Sequence, residues 1–375
     1  MKFLLCCTLV PAKYEVANKE ISNAANRFLT NFCTKLMENH SLKILSYIGV
    51  KFDDESKAEL IQQKSENIQY YFKSKRIIGG VLRMLRATWS AMEECEYAIT
   101  YNTVYAWILT PLLTKIRHKK SILILADYSP IESYTGVKQR IYAKIQQYFI
   151  GKYDYVIGLS EHTRKYLKEG QRFQCMEGGI ADEFYAYYDK YVPSVNECMT
   201  VMYSGILEKV TGIELLINAF EKIESSQIEL IITGDGSLAE WIQKKDSESD
   251  RIHYLGCIPY EEYMKKLSEA DVLVNPRNMV LPENKNNFPS KIMEYLATGK
   301  MIISTKFPGW ERYQKYIDFC ESNGNDIRNA IERCIINKDS WKKVDYEKNR
   351  AFAREFLWET QVKKIEKLLE KSDEV

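Results

Sequence analysis

The residues best suited to chemistry lie in the segment NFPSKIMEYLATG, residues 287–299 of the 375-residue chain. Ser290 is a typical helix N-cap residue, and the first turn of the apolar run after it carries Lys291 and Glu294. A helix N-terminus offers free N–H groups and a partial positive charge, which suit a diphosphate. Glu294 has two oxygens that can accept hydrogen bonds from two neighbouring ribose hydroxyls. Taken alone, the pattern also fits an ordinary capped helix.

A diphosphate leaving group needs positive charge beside it, because its own charge grows in the transition state. Lys291 and Arg277 lie on either side of the loop before this helix and are the first candidates for that charge. Lys209 is the next, since it follows a strand-to-helix turn at Gly205 where backbone can approach a phosphate closely; a solvated loop lysine is its alternative. Asp235, within a Gly-Asp-Gly turn, is a further donor-site candidate that an ordinary turn explains equally well.

A diphosphate leaving group implies a second substrate that accepts the transferred group, and the first half of the chain supplies candidates for binding this acceptor. Asp127 ends the apolar run 121–126, and a carboxylate there can orient or deprotonate an acceptor hydroxyl. An ordinary loop aspartate ahead of a proline is the alternative. Asn23, Asn26 and Arg27 follow the first predicted strand and are further acceptor-side candidates.

These side chains need a frame that brings strand ends and helix starts together. Short apolar runs alternate with segments of helical period, which predicts an α/β fold of two doubly wound, Rossmann-like domains whose strand carboxyl ends face one another across a cleft. We place the first domain at residues 1–185, a linker at 186–199 and the second domain at 200–345. A final helix over 346–375 is expected to pack back toward the first domain. The predicted strands are residues 3–9, 42–48, 97–100, 122–125 and 155–159, then 200–203, 229–233, 252–255, 272–275 and 301–304.

Composition excludes several classes of protein. The net charge of +2 does not indicate a nucleic-acid partner, and 45% hydrophobic with 28% charged residues is typical of a globular chain. The nine cysteines lack metal-site spacing and fit reduced thiols of a cytoplasmic protein. The apolar start, residues 1–10, could be mistaken for a signal peptide. Its apolar run is short, is stopped by Pro11 and lacks a convincing cleavage site, so we interpret it as a strand.

Positive charge is concentrated in one part of the chain. Residues 64–120 contain ten Lys or Arg against four Glu. Within this stretch, the predicted helix 77–89 is apolar on one side and basic on the other, a pattern that fits anionic lipid headgroups. A core-packed helix with a solvated basic edge is the alternative.

The run 288–305 closely resembles the donor-binding segment of family 4 retaining glycosyltransferases of the GT-B fold, particularly the bacterial polysaccharide and capsule enzymes. The resemblance extends through the second half of the chain in the family's order and spacing. It covers residues 203–220, 230–236, 252–258 and 270–276, and more weakly 126–128, 156–160 and 177–180.

The resemblance implies site residues as well as a fold. It places Glu294 on the nucleotide ribose, the loop 205–209 over the diphosphate, and the base near Ile258. It also includes Phe288, Pro289 and Ser290 in the donor segment. Where the family usually has a carboxylate on the transferred sugar, this chain has Asn286, an uncharged amide. Where many members have two loop cations, it has Ile206 and Thr211.

The resemblance further implies a retaining hexosyltransferase that moves a sugar from a nucleotide-sugar donor, UDP being the commonest nucleotide, to a glycan or lipid-linked acceptor in cell-surface polysaccharide synthesis. It implies front-side attack with no protein nucleophile, no metal and no cofactor. We expect a cytoplasmic protein at the inner face of the cytoplasmic membrane. A nucleotide-sugar epimerase, a phosphorylase and a non-catalytic sugar-nucleotide-binding protein of the same architecture remain alternatives.

Overall fold

The computed structural model describes residues 1–11, 13–14, 22–50, 52–62, 67–74, 76–103, 105–126, 128, 131–190, 198–281, 284, 288–341 and 343–370. The chain divides into two units. The first comprises Met1–Gly179 with Gln361–Val375, and the second comprises Ile180–Thr360. Each unit contains one fully parallel sheet.

The first unit is built on seven strands. They are β1 Lys2–Cys7, β2 Ser41–Ile48, β3 Ile68–Phe72, β4 Tyr97–Tyr101, β5 Lys120–Leu125, β6 Tyr155–Gly158 and β7 Arg172–Cys175. Their order in the sheet is β3-β2-β1-β4-β5-β6-β7. The direction of winding reverses between β1 and β4, so the carboxyl ends of these two strands border the position where doubly wound sheets bind ligands.

Helices cover both faces of this sheet. They are α1 Asn23–Met37, α2 Asp54–Gln62, α3 Ile77–Ala91, α4 Thr110–Ile116 and α5 Val137–Ile150. Because crossover connections are right-handed, α1 and α2 lie on one face and α3, α4 and α5 on the other. Leu4 and Cys6 of β1 pack with Met84 of α3 and with Trp107 in the core on the second face.

The second unit repeats the arrangement with six strands. They are β8 Met199–Ser204, β9 Ile228–Thr233, β10 Ile252–Tyr254, β11 Val272–Asn275, β12 Met301–Thr305 and β13 Asp318–Cys320. Their order is β10-β9-β8-β11-β12-β13, so the winding reverses between β8 and β11. The helices that follow in chain order are α6 Asp182–Tyr187, α7 Ile213–Phe220, α8 Ala239–Ser247, α9 Tyr260–Glu269, α10 Lys291–Thr298, α11 Gly324–Asn337, α12 Lys343–Ala353 and α13 Trp358–Glu370.

The predicted α/β class with two doubly wound sheets is confirmed, and every predicted strand is present. The sequence patterns missed β3, β7 and β13. All three are strands at the edge of a sheet, and several of their side chains are partly exposed, so they lack the continuous apolar run of a central strand.

The second unit begins earlier than the boundary predicted at residue 185. Ile180, Phe184 and Tyr188 pack into a core cluster with Tyr263 and Met293, both in the second unit. The segment around α6 is therefore part of this unit. Of the predicted linker, residues 191–197 lie outside the described residues.

The predicted single helix over 346–375 is wrong, because the chain leaves helical geometry before α13. A 3-10 turn, Arg354–Phe356, follows α12, and Leu357 is extended where it bridges to Ile180. The amide of Trp358 then donates to the carbonyl of Ile180 at 3.2 Å. Pairing with Ile180 thus breaks the helix, and the residues of α13 from Gln361 onward belong to the first unit.

Arg350 of α12 ties three segments of the second unit together. Its guanidinium donates to the carbonyls of Ala297 at 2.6 Å and Tyr185 at 3.1 Å, and to a carboxylate oxygen of Asp189 at 2.6 Å. Arg350 is only 6% exposed, and its bond to the carbonyl of Ala297 is buried, whereas the side chain of Asp189 is 68% exposed. None of the helices in the described ranges is long and apolar enough to cross a bilayer.

Candidate functional site

The winding reversal of the second unit brings together two segments that are distant in sequence. Gly205 directly follows β8, and Arg277 lies two residues after β11, which pairs in parallel with β8. Burial raises the pKa of Tyr203, at the end of β8, to about 12, while the charges of Arg277 and Lys291 act in the opposite direction. Both predicted cations therefore lie within electrostatic range of the same strand end.

Glu294 is the centre of a hydrogen-bonded cluster at this edge. Its Oε2 atom accepts from the hydroxyl of Tyr263 at 2.6 Å and from Nζ of Lys291 at 2.8 Å. The same Nζ lies 3.0 Å from the Tyr263 hydroxyl and 4.5 Å from the centre of its ring. Two donors on two helices, α9 and α10, thus orient one carboxylate.

Electrostatics determine which group in this cluster holds its proton. Burial, and then the nearby charge of Glu294, raise the pKa of Tyr263 well above its usual value. The phenol therefore stays neutral near pH 7 and acts as a hydrogen-bond donor. The side chains of Glu294 and Lys291 are 23% and 32% exposed, so the cluster borders solvent and is open to a ligand.

Ser204, the last residue of β8, connects this cluster to the sheet. Its Oγ lies 3.1 Å from the hydroxyl of Tyr295 and 3.5 Å from that of Tyr263. Burial raises the pKa of Tyr295 to about 12, so this hydroxyl also remains protonated. The strand end, α9 and α10 are consequently held in one arrangement.

Close backbone contacts fix the turn after β8. The amide of Leu207 donates to the carbonyl of Asp235 at 3.0 Å, and the amide of Gly205 donates to Thr233 at 3.1 Å. Gly234 has a φ of +139°, and a Cβ there would lie 1.8 Å from the carbonyl oxygen of Gly205. Glycine at position 234 is therefore required for the Gly-Asp-Gly turn to pack against the predicted phosphate loop. An ordinary turn without this contact would not require it.

The rest of this loop divides into an anchored part and an exposed part. The carboxylate of Glu208 accepts from the amide of Ser237 at 2.8 Å and from its hydroxyl at 2.5 Å, and these bonds lower the pKa of Glu208. Lys209 is exposed, and its side chain has no hydrogen-bond or ion-pair partner in the described part of the chain. Ile206 is 62% exposed, and Thr211 bonds back to the carbonyl of Glu208 at 2.7 Å.

A second glycine permits the contact between the two sides of the winding reversal. Gly212, at the start of α7, has a φ of +75°, and a Cβ there would lie 1.9 Å from the carbonyl oxygen of Pro276. Arg277 follows directly, and its guanidinium donates to the side-chain oxygen of Asn284 at 3.1 Å. Asn284 is 2% exposed and donates in turn to the carbonyl of Val210 at 2.6 Å. The Arg277 side chain is thereby tied to the loop before α7.

The predicted base-binding segment lies at the carboxyl end of β10. The carbonyl of Gly256 accepts from the amide of Gly234 at 2.9 Å and from the hydroxyl of Thr233 at 2.7 Å. Cys257 is exposed, and Ile258 is partly buried against a core cluster of the second unit. This segment therefore shares the sheet edge of the Gly205 turn.

Ser290 lies at the N-cap position of α10, as predicted, but it does not cap the helix with its side chain. Ser290 has helical dihedrals, φ −54° and ψ −28°, and its side chain makes no capping bond. The helix start is positioned instead by apolar packing, since the ring of Phe288 meets that of Phe307 at 5.4 Å and Pro289 is buried. Asn286 lies outside the described residues.

In the first unit, Asn26 anchors the chain after β1. Its side chain accepts from the amide of Val10 and donates to the carbonyl of the same residue, both at 2.8 Å, and Asn26 is 2% exposed. Arg27 is exposed on α1. Asp127 and the side chain of Asn23 lie outside the described residues, so acceptor contacts of these four stay predictions.

The sequence patterns did not identify Tyr263, Ser204, Tyr295 and Ser237 as site residues. One weak signal pointed to Tyr263, because α9 starts just after a strand and its first turns must lie at the carboxyl edge. Nothing in the spacing indicates that its hydroxyl meets Glu294, 31 residues away. In the described ranges no group of three or more His, Cys, Asp or Glu is arranged to hold a metal ion; metal independence stays a prediction.

Comparisons with known proteins identify a related sequence segment and similar folds. Residues 199–337 match the family model described as glycosyl transferases group 1. No curated protein matches the chain in sequence. Among solved structures, HepE of Anabaena in complex with UDP is similar with a TM-score of 0.74 and 15% identity, covering 99% of this chain and 100% of that one.

Two further structures have the same fold over their full length. Sucrose-phosphate synthase of Thermosynechococcus elongatus has a TM-score of 0.69 and 13% identity, covering 99% of both chains. A glycosyltransferase of Rickettsia africae has a TM-score of 0.72 and 15% identity, covering 98% of both. The resemblance to glycosyltransferases and the GT-B fold are confirmed, and at these identities the structural likeness concerns the fold.

Proposed function

We propose that this chain, which has the GT-B fold and a group 1 glycosyl transferase segment, is a retaining glycosyltransferase that moves a hexose from a UDP-sugar to a glycan or lipid-linked acceptor. The ligands bound to similar structures support the donor class. HepE of Anabaena has a structure in complex with UDP-glucose, and an Escherichia coli protein has one bound with UDP-2-fluoro glucose.

One observation carries the proposal: Glu294 is held by Tyr263 and Lys291 beside the winding reversal of the second sheet. A carboxylate with fixed orientation at this position suits the paired hydroxyls of a ribose. The Gly205 turn lies next to it and presents backbone that can approach a diphosphate. The two halves of a nucleoside diphosphate thus have complementary groups at the same edge.

Three cations at this edge can meet a diphosphate. They are Lys291, Arg277 and Lys209, and of the carboxylates at the same edge Glu294 is bonded to Tyr263 and Lys291, and Glu208 to Ser237. Lys291 and Arg277 each have a hydrogen-bonded partner that orients the side chain, whereas Lys209 is exposed on the loop. We assign Lys291 and Arg277 to the developing charge of the leaving diphosphate, with Lys209 in a supporting position.

For the chemical step we infer front-side displacement. The bond between the anomeric carbon and the diphosphate oxygen breaks, and the acceptor oxygen bonds to the same face of the sugar. The acceptor proton passes to the departing diphosphate, so no protein nucleophile is required. Asp127 is proposed to orient the acceptor hydroxyl. The resemblance of residues 288–305 to retaining enzymes supports this mechanism, and the anomeric configuration of the product, read by NMR, tests it.

Nucleotide binding provides the direct test. Isothermal titration with UDP, GDP and ADP is expected to show a preference for UDP and at least tenfold weaker binding in Glu294→Ala. Glu269→Ala is the matched control, because Glu269 makes the same i,i+3 pair with Lys266 at 2.9 Å on α9. Equal nucleotide affinity in wild type and Glu294→Ala contradicts the site assignment. Donor binding without transfer to any acceptor or water supports a non-catalytic binding protein instead.

The wider role is part of the same proposal. We infer an acceptor from cell-surface polysaccharide synthesis and a position at the inner face of the cytoplasmic membrane, with no metal and no cofactor. The resemblance to polysaccharide and capsule enzymes supports these inferences. Transfer assays with EDTA present, using lipid-linked and free glycan acceptors, check them.

A further inference from the structure

The outer surface of α3, α4 and α5 in the first unit has an unusual composition. These helices contain six Lys or Arg and no Asp or Glu. They also carry ten of the twenty exposed large hydrophobic side chains in the described part of the chain. The ten are Ile78, Leu82, Trp89, Leu112, Ile116, Val137, Ile141, Tyr142, Ile145 and Tyr148.

The fold places the three helices side by side. Right-handed crossovers put them on the same face of the sheet, and the turn Tyr105–Leu109 contacts all three. Trp107, in that turn, donates from its indole N–H to Thr88 of α3 at 3.1 Å and accepts at its carbonyl from Tyr153, just after α5, at 3.1 Å. Their outer sides therefore lie on the same face of the unit, and we call this surface the basic face.

Helix α5 shows the arrangement most clearly. At 3.6 residues per turn, Val137, Ile141, Ile145 and Tyr148 lie within about 80° of one another. They are 74%, 54%, 45% and 57% exposed. Ala143, one of the buried residues of the helix, lies on the opposite side. An apolar stripe therefore points away from the core along the whole helix.

Cations border this stripe without being neutralised. Arg140 and Lys144 lie on one side of it and Lys138 on the other, and all three are exposed. None of the six cations in the three helices makes an ion pair in the described part of the chain. The acidic residues nearest in sequence, Glu93, Glu132 and Asp154, lie beyond the ends of α3 and α5. The face therefore presents positive charge and apolar surface together.

We propose that the basic face docks on an anionic lipid bilayer, with the α5 stripe in the headgroup region and its flanking cations on lipid phosphates. A nucleic-acid partner would use the cations but leave the apolar stripe without a role. A second copy in a two-fold contact would set cation against cation, because the same patch would meet itself. The inference rests on the proposed function in one respect: an enzyme with a lipid-linked acceptor is expected to act at a bilayer.

Sedimentation of the full-length protein with vesicles tests the proposal. We expect the protein to bind vesicles of phosphatidylcholine that contain about 30% phosphatidylglycerol. This binding should weaken as the salt concentration increases, and binding to vesicles of phosphatidylcholine alone should be minimal. Lys138→Gln/Lys144→Gln is expected to lose about 30-fold in partition coefficient, and Ile141→Ser/Ile145→Ser about tenfold or more. Ile336→Ser and Lys222→Gln, exposed in the second unit, are matched controls and should bind like wild type.

Several results overturn the proposal. The first is equal binding to both vesicle types, and the second is unchanged binding of both double variants. The third is a native protein that binds no vesicles but forms a dimer, with the Ile141→Ser/Ile145→Ser change dissociating that dimer. Circular dichroism checks that each variant is folded. UDP titration of the same variants separates the two proposals: vesicle binding with no UDP affinity refutes only the transferase, and the reverse refutes only the basic face.

Discussion

Replacing Tyr263 with Phe removes one hydroxyl from the buried side of the candidate site and leaves the ring in place. In the native protein that hydroxyl donates to Glu294 at 2.6 Å and lies 3.0 Å from Nζ of Lys291. Its raised pKa keeps it protonated, so it is a permanent donor near neutral pH. Without it, the carboxylate keeps Lys291 but loses the partner on α9 that holds its orientation.

The magnitude follows from the charge of the acceptor and its contact with water. A hydrogen bond to a charged group contributes about 1.5–3 kcal/mol. Because the free protein already makes this bond and Glu294 is 23% exposed, only the part that orients the carboxylate appears in the binding free energy, and we expect a loss of about 1–1.5 kcal/mol. That corresponds to about 5- to 12-fold weaker UDP binding. Since the ribose is remote from the breaking bond, KM for the donor should rise while kcat changes less than about twofold.

Titration calorimetry with UDP measures the affinity, and Tyr316→Phe is the matched control. The hydroxyl of Tyr316 makes no hydrogen bond in the described ranges, and its ring stacks on Phe352 at 4.1 Å. The same chemical change at that position should leave UDP affinity unaltered. An affinity of Tyr263→Phe within twofold of wild type, or an equal loss in Tyr316→Phe, refutes the assignment of Tyr263 as the residue that positions Glu294.

Three further predictions concern the frame around the site. Gly212→Ala should weaken both folding and UDP binding more than Gly309→Ala, because both carry a positive φ but only the first places a Cβ against backbone; thermal melts and titration compare them. Arg350→Met should destabilise the second unit by about 2–4 kcal/mol in urea unfolding, because buried carbonyls lose their donor, and an unchanged midpoint contradicts this. Iodoacetamide at pH 8 should label the exposed Cys257 first and Cys33 only slowly, because burial raises the pKa of Cys33 to about 12 and leaves about one thiolate in 10⁴. A higher pH should therefore speed the labelling of Cys33. Mass spectrometry with saturating UDP should show that Cys257 is protected.

Much of the fold was predictable because its signals are local. Apolar runs of strand length alternate with segments of helical period, and this periodicity depends only on neighbours in sequence. The same holds for the segment around Glu294, whose residue types and spacing are read from neighbouring positions alone. The limits of local patterns are clear at Leu357, where a helical period continues in sequence but pairing with Ile180, 177 positions earlier, interrupts the helix.

The sequence by itself determined the class of fold, the two sheets, and the chemical identity of Glu294, Lys291 and Arg277 as candidate donor-site groups. Only the tertiary structure decided how they are used. The hydroxyl of Tyr263 reaches Glu294 because α9 and α10 pack side by side, and no spacing in the chain encodes that contact. The basic face likewise arises because crossovers of one hand place α3, α4 and α5 on the same side of a sheet. Residue types are written in the sequence, whereas the partners of each side chain depend on which distant segments the winding of the sheets brings together.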